Sequence, residues 1–269
     1  FISLLIAFGG LIYDWNQPLH SASTIIKCKG QVPERTACLI KPTSYKINTY
    51  RVDICQDNPF PDYRSTADYA GGGCITIFNG NGDLHEGQFA KTSKYKIPEI
   101  GRESLKQGKY NYLTLILKNG FTSSGKYRSG KITWRTAGNN ERNLEITPGK
   151  PVEFTVRLRN WRGQNNKNND YCENDGGTFS RCEINYNGYQ LTGVGLGSDF
   201  VETYGDKVNY IFYMVKLSSP INLNESSKGE FYLTVKNDLE VYGNGITVQS
   251  ISTPPFIFDA SYEPIKSND

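Results

Sequence analysis

The chain is short of helix-building residues and of side chains that do acid–base chemistry. Ala occurs only 8 times, against 22 Ile, 18 Leu and 18 Tyr. β-Branched and aromatic residues thus outweigh the good helix formers, which excludes a helical bundle or coiled coil. Two His, one Met and six Cys leave few residues for catalysis. Charge is balanced, with 30 basic and 27 acidic residues for a net +3, far from the basic footprint of a dedicated nucleic-acid binder. The apolar opening, residues 1–13 (FISLLIAFGGLIY), is shorter than the roughly 20 residues that a membrane-spanning helix needs. What the chain does have is 37% hydrophobic and 13% aromatic residues, 27 Gly and 12 Pro. That is too apolar for disorder and rich in turn formers, and it predicts an all-β, antiparallel β-sandwich with little helix.

The opening and the cysteines bear on compartment. Residues 1–13, followed by small residues around Ser21-Ala22-Ser23, fit the apolar part of a secretory signal. Alternatively Phe1, Ile2, Leu4, Ile6 and Ile12 form an assembly strand that adds to a sheet, as donated strands do. Both readings export the protein, as secreted or cell-surface. Cys28 with Cys38, Cys55 with Cys74, and Cys172 with Cys182 are near neighbours flanking loops rich in Gly, Pro, Asn and Asp. Sequential pairing is expected, although six cysteines allow 15 connectivities. Disulfides that persist imply an oxidising environment, and the paired C-x-x-C knuckles of a zinc site are absent.

Period-two alternation recurs along the chain. Val152, Phe154, Val156 and Leu158 alternate with polar residues, as do Phe231, Leu233 and Val235. Residues 110–117 and 208–215 are apolar on both faces and are expected to be central strands. Asn187-Gly188 predicts a hairpin pairing residues 183–186 with 189–192. Only residues 98–106 look capable of a helical turn. Residues 24–262 are expected to form one large sandwich with disulfide-pinned loops, an insertion at about 159–195 and a candidate division near 136–143. Residues 1–23 and 263–269 flank it.

Three stretches carry a resemblance: residues 45–55 (YKINTYRVDIC), 105–117 (LKQGKYNYLTLIL) and 221–242 (INLNESSKGEFYLTVKNDLEVY). In order, they resemble uncharacterised secreted β-sandwich proteins of marine bacteria with a prealbumin-like domain. The resemblance implies a sandwich and export, and it carries over no active-site residue.

Chemistry is weakly signalled. His85, with Asp83 and Glu86 beside it, lies among glycines that suggest an exposed hairpin rather than a triad. Acid pairs such as Glu99 with Glu103 are indistinguishable from solvated surface acids. Asp170, Glu173 and Asp175 crowd hard oxygen ligands into one loop, a weak calcium candidate without EF-hand spacing. Tyr127, Trp134, Arg157, Arg159 and Trp161 place basic groups beside aromatics, as on surfaces that stack sugars. Gly71-Gly72-Gly73 lacks the Lys-Ser/Thr of a phosphate loop and predicts a tight turn. The sequence therefore points to an exported, non-enzymatic structural or cell-surface protein, expected to self-associate or meet a surface partner, as in a filament built by strand donation. A carbohydrate-binding or adhesive module recognising polysaccharide is the alternative, and a secreted hydrolase the third. No cofactor other than calcium is suggested.

Overall fold

In a computed structural model, described for residues 26–60, 67–80, 85–88, 94–157, 171–172, 181–186, 189–203, 205–224, 228–236, 238–253 and 257–265, strands form almost everywhere. The first are β1 (Ile26–Lys27), β2 (Glu34–Ile40), β3 (Ser44–Cys55), β4 (Ile75–Asn79), β5 (His85–Gln88), β6 (Lys94–Lys96) and β7 (Gly108–Lys118). Next come β8 (Phe121–Ser124), β9 (Lys126–Ser129), β10 (Ile132–Thr136), β11 (Leu144–Glu145), β12 (Phe154–Val156), β13 (Tyr171–Cys172) and β14 (Arg181–Tyr186). The last are β15 (Tyr189–Leu196), β16 (Tyr210–Leu223), β17 (Gly229–Lys236), β18 (Leu239–Asn244), β19 (Val248–Ser252) and β20 (Ile257–Pro264). Among the described residues the sole helical turn is a 3-10 turn at Gly205–Lys207. Residues 98–106, expected to be the helical candidate, form an irregular turn instead. There Gly101 adopts φ 60° and its Cα sits so close to Asn79 that a Cβ would meet the Asn79 carbonyl at 2.5 Å.

Two cores organise the strands. In the larger, a ten-stranded sheet (β12-β8-β3-β7-β16-β15-β14-β13, with β4 and β5 on the free edge of β3) faces the three-stranded sheet β20-β17-β6. Leu113, Leu115, Leu117, Val215 and Ile47 from the first meet Phe231, Val235 and Phe258 from the second, all inaccessible to solvent. The smaller core lies between β1-β2-β18-β19 and β11-β10-β9, around Leu239, Val241, Ile251, Tyr127 and Trp134. Neither core is a contiguous stretch of chain. The chain passes between them five times, at β2–β3, β8–β9, β11–β12, β17–β18 and β19–β20. Residues 136–143, the candidate division, are the close connection from β10 to β11 within the smaller core.

The predicted central strands are found where the apolar runs lie. β7 sits between β3 and β16, and Ile211 through Val215 are all buried. The Asn187-Gly188 hairpin has the expected register, Tyr186 opposite Tyr189 and Glu183 opposite Thr192. The alternation at residues 152–158 is realised only in part. Phe154 is buried, but only Phe154–Val156 pair as β12; Val152 precedes that strand, bridges Ala137 instead and is 47% exposed.

β3 is the longest-reaching element. On one edge it pairs with β4 and then β5, on the other with β7 and then β8. Both flanking strands are interrupted near one level, where β3 itself bulges between Thr49 and Arg51. Before the bulge Tyr45, Ile47 and Thr49 face the core; after it Val52 and Ile54 do. One extra residue thus shifts the parity of the strand, as a bulge must.

Tyr45 and Tyr213 lie inside the larger core, 1% and 3% exposed. Burial pushes both phenols well above their ordinary range, and for Tyr45 the adjacent Tyr213 adds to it. Unfolded tyrosines ionise near pH 10, so above that pH only the unfolded chain releases these protons. Stability is therefore intact below pH 10 and falls as pH rises, by about 1.4 kcal/mol per pH unit for each phenol. In a titration of tyrosinate absorbance, both should ionise only in a late step coincident with unfolding. Ionisation together with the exposed tyrosines would contradict this packing.

Candidate functional site

The second half of β3 is covered on both faces, and a charge stands there. Asp53 has no solvent exposure. It lies between Thr76 of β4 and Thr114 of β7 on one rung of the sheet. The Arg51 Nε donates to both carboxylate oxygens at 2.8 and 3.0 Å. Thr76 Oγ1 donates to Oδ1 at 2.7 Å and Thr114 Oγ1 to Oδ2 at 3.1 Å. The Arg51 Nη2 also reaches Thr76 Oγ1, at 3.1 Å. Burial raises the Asp53 pKa, and the Arg51 charge and the three donors pull against it.

The cover over this rung is the loop closed by the Cys55–Cys74 disulfide. Tyr69 lays its ring on the Arg51 guanidinium at 4.8 Å, and Phe60 meets Phe212 edge-on at 5.2 Å. Burial drives the Tyr69 phenol upward. Before Cys74 the chain turns tightly, as expected of Gly71-Gly72-Gly73: Gly72 N donates to Asp68 O, Cys74 N donates to Tyr69 O, and Gly73 takes φ 58°. The carboxylate's bonds all run within the sheet, and the loop is held over it by the Tyr69 ring on Arg51 and by the disulfide. Every oxygen of the carboxylate is engaged, which leaves nothing to accept a substrate proton.

A second constellation lies on the same face, beyond the bulge. Phe200 stacks on Tyr210 with centroids 4.6 Å apart and planes at 20°, and Tyr50 contacts both rings at 5.0 and 5.7 Å. Tyr50 is the bulged residue of β3, and Tyr210 opens β16 opposite Leu196. Phe200 is 38% exposed and its neighbour Val201 62%. The Phe200 backbone has φ 62°, a left-handed conformation that costs a bulky residue about 1–2 kcal/mol. A turn holds it there: Phe200 N donates to Gly197 O, Gly197 N to Val201 O, and Val201 N to Asp199 Oδ1. No hydrogen bond involves the Tyr50 or Tyr210 hydroxyl among the described residues.

The residues predicted from sequence are placed differently. Cys28 is bonded to Cys38 and Cys55 to Cys74, as expected. Cys172 and Cys182 face each other across β13 and β14, but their side chains lie outside the described residues. The stacking surface expected at Tyr127 and Trp134 is not formed. The two are cross-strand partners whose rings turn into the smaller core, 5% and 6% exposed, while neighbouring Lys126 and Arg128 point to solvent. Period two accounts for this: aromatics and bases adjacent in sequence go to opposite faces. Arg157 is exposed at the end of β12, whereas Arg159 and Trp161 lie outside the described residues. So do Asp170, Glu173 and Asp175, and Phe1, Ile2, Leu4, Ile6 and Ile12. No cluster of three metal-binding side chains occurs among the described residues. Sequence inspection missed Asp53 and Phe200. An acid set in the apolar run Val52-Asp53-Ile54-Cys55 was the signal for the first; nothing in Gly197-Ser198-Asp199-Phe200 beyond a turn marks the second.

Comparison of the chain with family models, curated proteins and solved structures returns no match.

Arg51→Ala leaves a fully buried carboxylate without its counter-charge and is expected to cost about 3–5 kcal/mol at pH 7. The raised Asp53 pKa sets the sign of the pH response: its contribution is present below the unfolded value near 3.9 and lost as pH rises through the folded one. Urea unfolding should therefore show a smaller loss for Arg51→Ala at pH 4 than at pH 7. An equal loss at both would mean that Asp53 is not charged in the native protein.

Proposed function

We propose that this protein is an exported, non-enzymatic component of a cell surface, working through the faces it presents rather than through a reaction. The observation that carries this is the state of Asp53. It is the one charged side chain fully buried among the described residues, and its hydrogen-bonding capacity is spent on Arg51 of its own strand and on threonines of the two neighbouring strands. Two disulfides support an oxidising compartment. No helix among the described residues is long and apolar enough to cross a membrane. In the structural form of the proposal, residues 1–13 add to the sheet of a second copy through main-chain hydrogen bonds, and such head-to-tail contacts build a filament. The second reading, an adhesive or sugar-binding module, is favoured by the exposed ring of Phe200 packed on half-buried Tyr50 and Tyr210.

Two measurements test the proposal. Cys28, Cys38, Cys55 and Cys74 should be unreactive to thiol reagents in protein recovered from an oxidising compartment. Reducing the bridges, which span 10 and 19 residues, should lower unfolding free energy by about 3 kcal/mol each. The full chain should sediment as assemblies, and a variant lacking residues 1–13 as monomers. Assembly that survives the deletion would refute strand donation. Turnover of a chromogenic glycoside or ester would refute a non-enzymatic role.

A further inference from the structure

We infer that the Tyr50–Phe200–Tyr210 cluster is a binding subsite for a neutral pyranose residue within a polysaccharide chain. This refines the contact-protein reading by giving one surface a ligand class.

The first ground is the backbone. Phe200 occupies a conformation that glycine adopts freely, yet the position carries a large ring. The Gly197–Val201 and Asp199–Val201 bonds fix that turn, so the ring is held in place before any ligand arrives. Strain retained at a surface ring that reaches no core is the pattern of a functional position.

The second ground is the chemistry of the patch. A pyranose offers a flat C–H face edged by hydroxyls. Its complement is an aromatic surface edged by groups that both donate and accept. Phe200 supplies the face, and the Tyr50 and Tyr210 hydroxyls, with no hydrogen bond among the described residues, supply the edge. On the flanking segments, exposed Asp199, Glu202 and Asp206 slightly outnumber exposed Lys118 and Lys207. This slight acidic excess disfavours a sulfated or uronic ligand and leaves a neutral one. Phe200 is exposed and the two tyrosines half-buried, so the cluster can meet one unit of a long chain.

Affinity electrophoresis of the full chain through gels containing a β-1,3-glucan, a mannan, a xyloglucan or alginate tests this. At least one neutral polysaccharide should retard the protein, and alginate should not. Phe200→Gly removes the ring and gives the turn the residue its φ prefers, so the variant should melt no lower than the parent while its retardation weakens on the order of tenfold. Tyr210→Phe keeps the stack, removes one hydroxyl and should weaken retardation several-fold. Equal retardation of parent and Phe200→Gly, retardation by alginate alone, or none in any neutral gel would overturn the subsite. Loss of self-association in Phe200→Gly without any change in retardation would assign the patch to a second copy of the chain and overturn it equally. None of these outcomes alters the thiol and sedimentation results, so the subsite can fail while the exported contact protein stands.

Discussion

The fold depends on covering both faces of the second half of β3. A strand paired on each edge and apolar toward one core has only one direction left to water, and here that direction is closed by the Cys55–Cys74 loop. Closing it requires that whatever points outward from β3 be neutralised in place. Arg51 does this for Asp53, and the threonines on β4 and β7 complete the set. The bulge at Tyr50 follows from the same constraint. It changes which parity of β3 faces the core at the point where covering begins, and both neighbouring strands break there. A buried ion pair of this kind is weak evidence for net stability, since its desolvation offsets much of its attraction. Its role is specification: Arg51 travels with Asp53 on β3, but only this register sets the carboxylate between the hydroxyls of Thr76 on β4 and Thr114 on β7.

The same face changes character along its length. At one end polar groups are saturated and shut away. At the other, rings belonging to β3, β16 and the turn after β15 emerge beside hydroxyls with water to meet. The two are linked by Tyr210, Phe212 and Met214, which lie at alternate positions of β16 and so on one side of the sheet. A rigid, polar-locked base therefore supports an exposed aromatic end.

Much of the strand content was legible because β7, β16 and β17 carry apolar residues at the spacing their burial demands, and residues 183–186 pair with 189–192 as the Asn187-Gly188 signal predicts. The near-neighbour cysteines were legible for the same reason, being local. What was not legible is long-range. Residues 152–158 read as a buried strand by alternation, but only Phe154–Val156 pair as β12, and Val152, bridged to Ala137 before it, stays in water. Tyr127 and Trp134 read as surface rings, yet strand parity turns them inward, and only the pairing of β9 with β10 shows which parity applies. The parity shift at Tyr50 is present in YKINTYRVDIC, where apolar positions move from 45 and 47 to 52 and 54. It becomes meaningful only once both edges of β3 are known to be occupied. The exposed end of the site depends on Phe200 meeting Tyr50 across 150 residues, which no local pattern records.

The interleaving of the two cores bears on how such a chain can be made. β2 is bonded to β18, and β3 shares its core with β17 and β20, so each half of the molecule needs strands from both ends of the sequence. As the polypeptide emerges from a ribosome, β2 has only β1 beside it until β18 follows some two hundred residues later, whereas β3 meets β4, β5, β7 and β8 far sooner. Each core is therefore completed only once the last strands, β17 to β20, have been made.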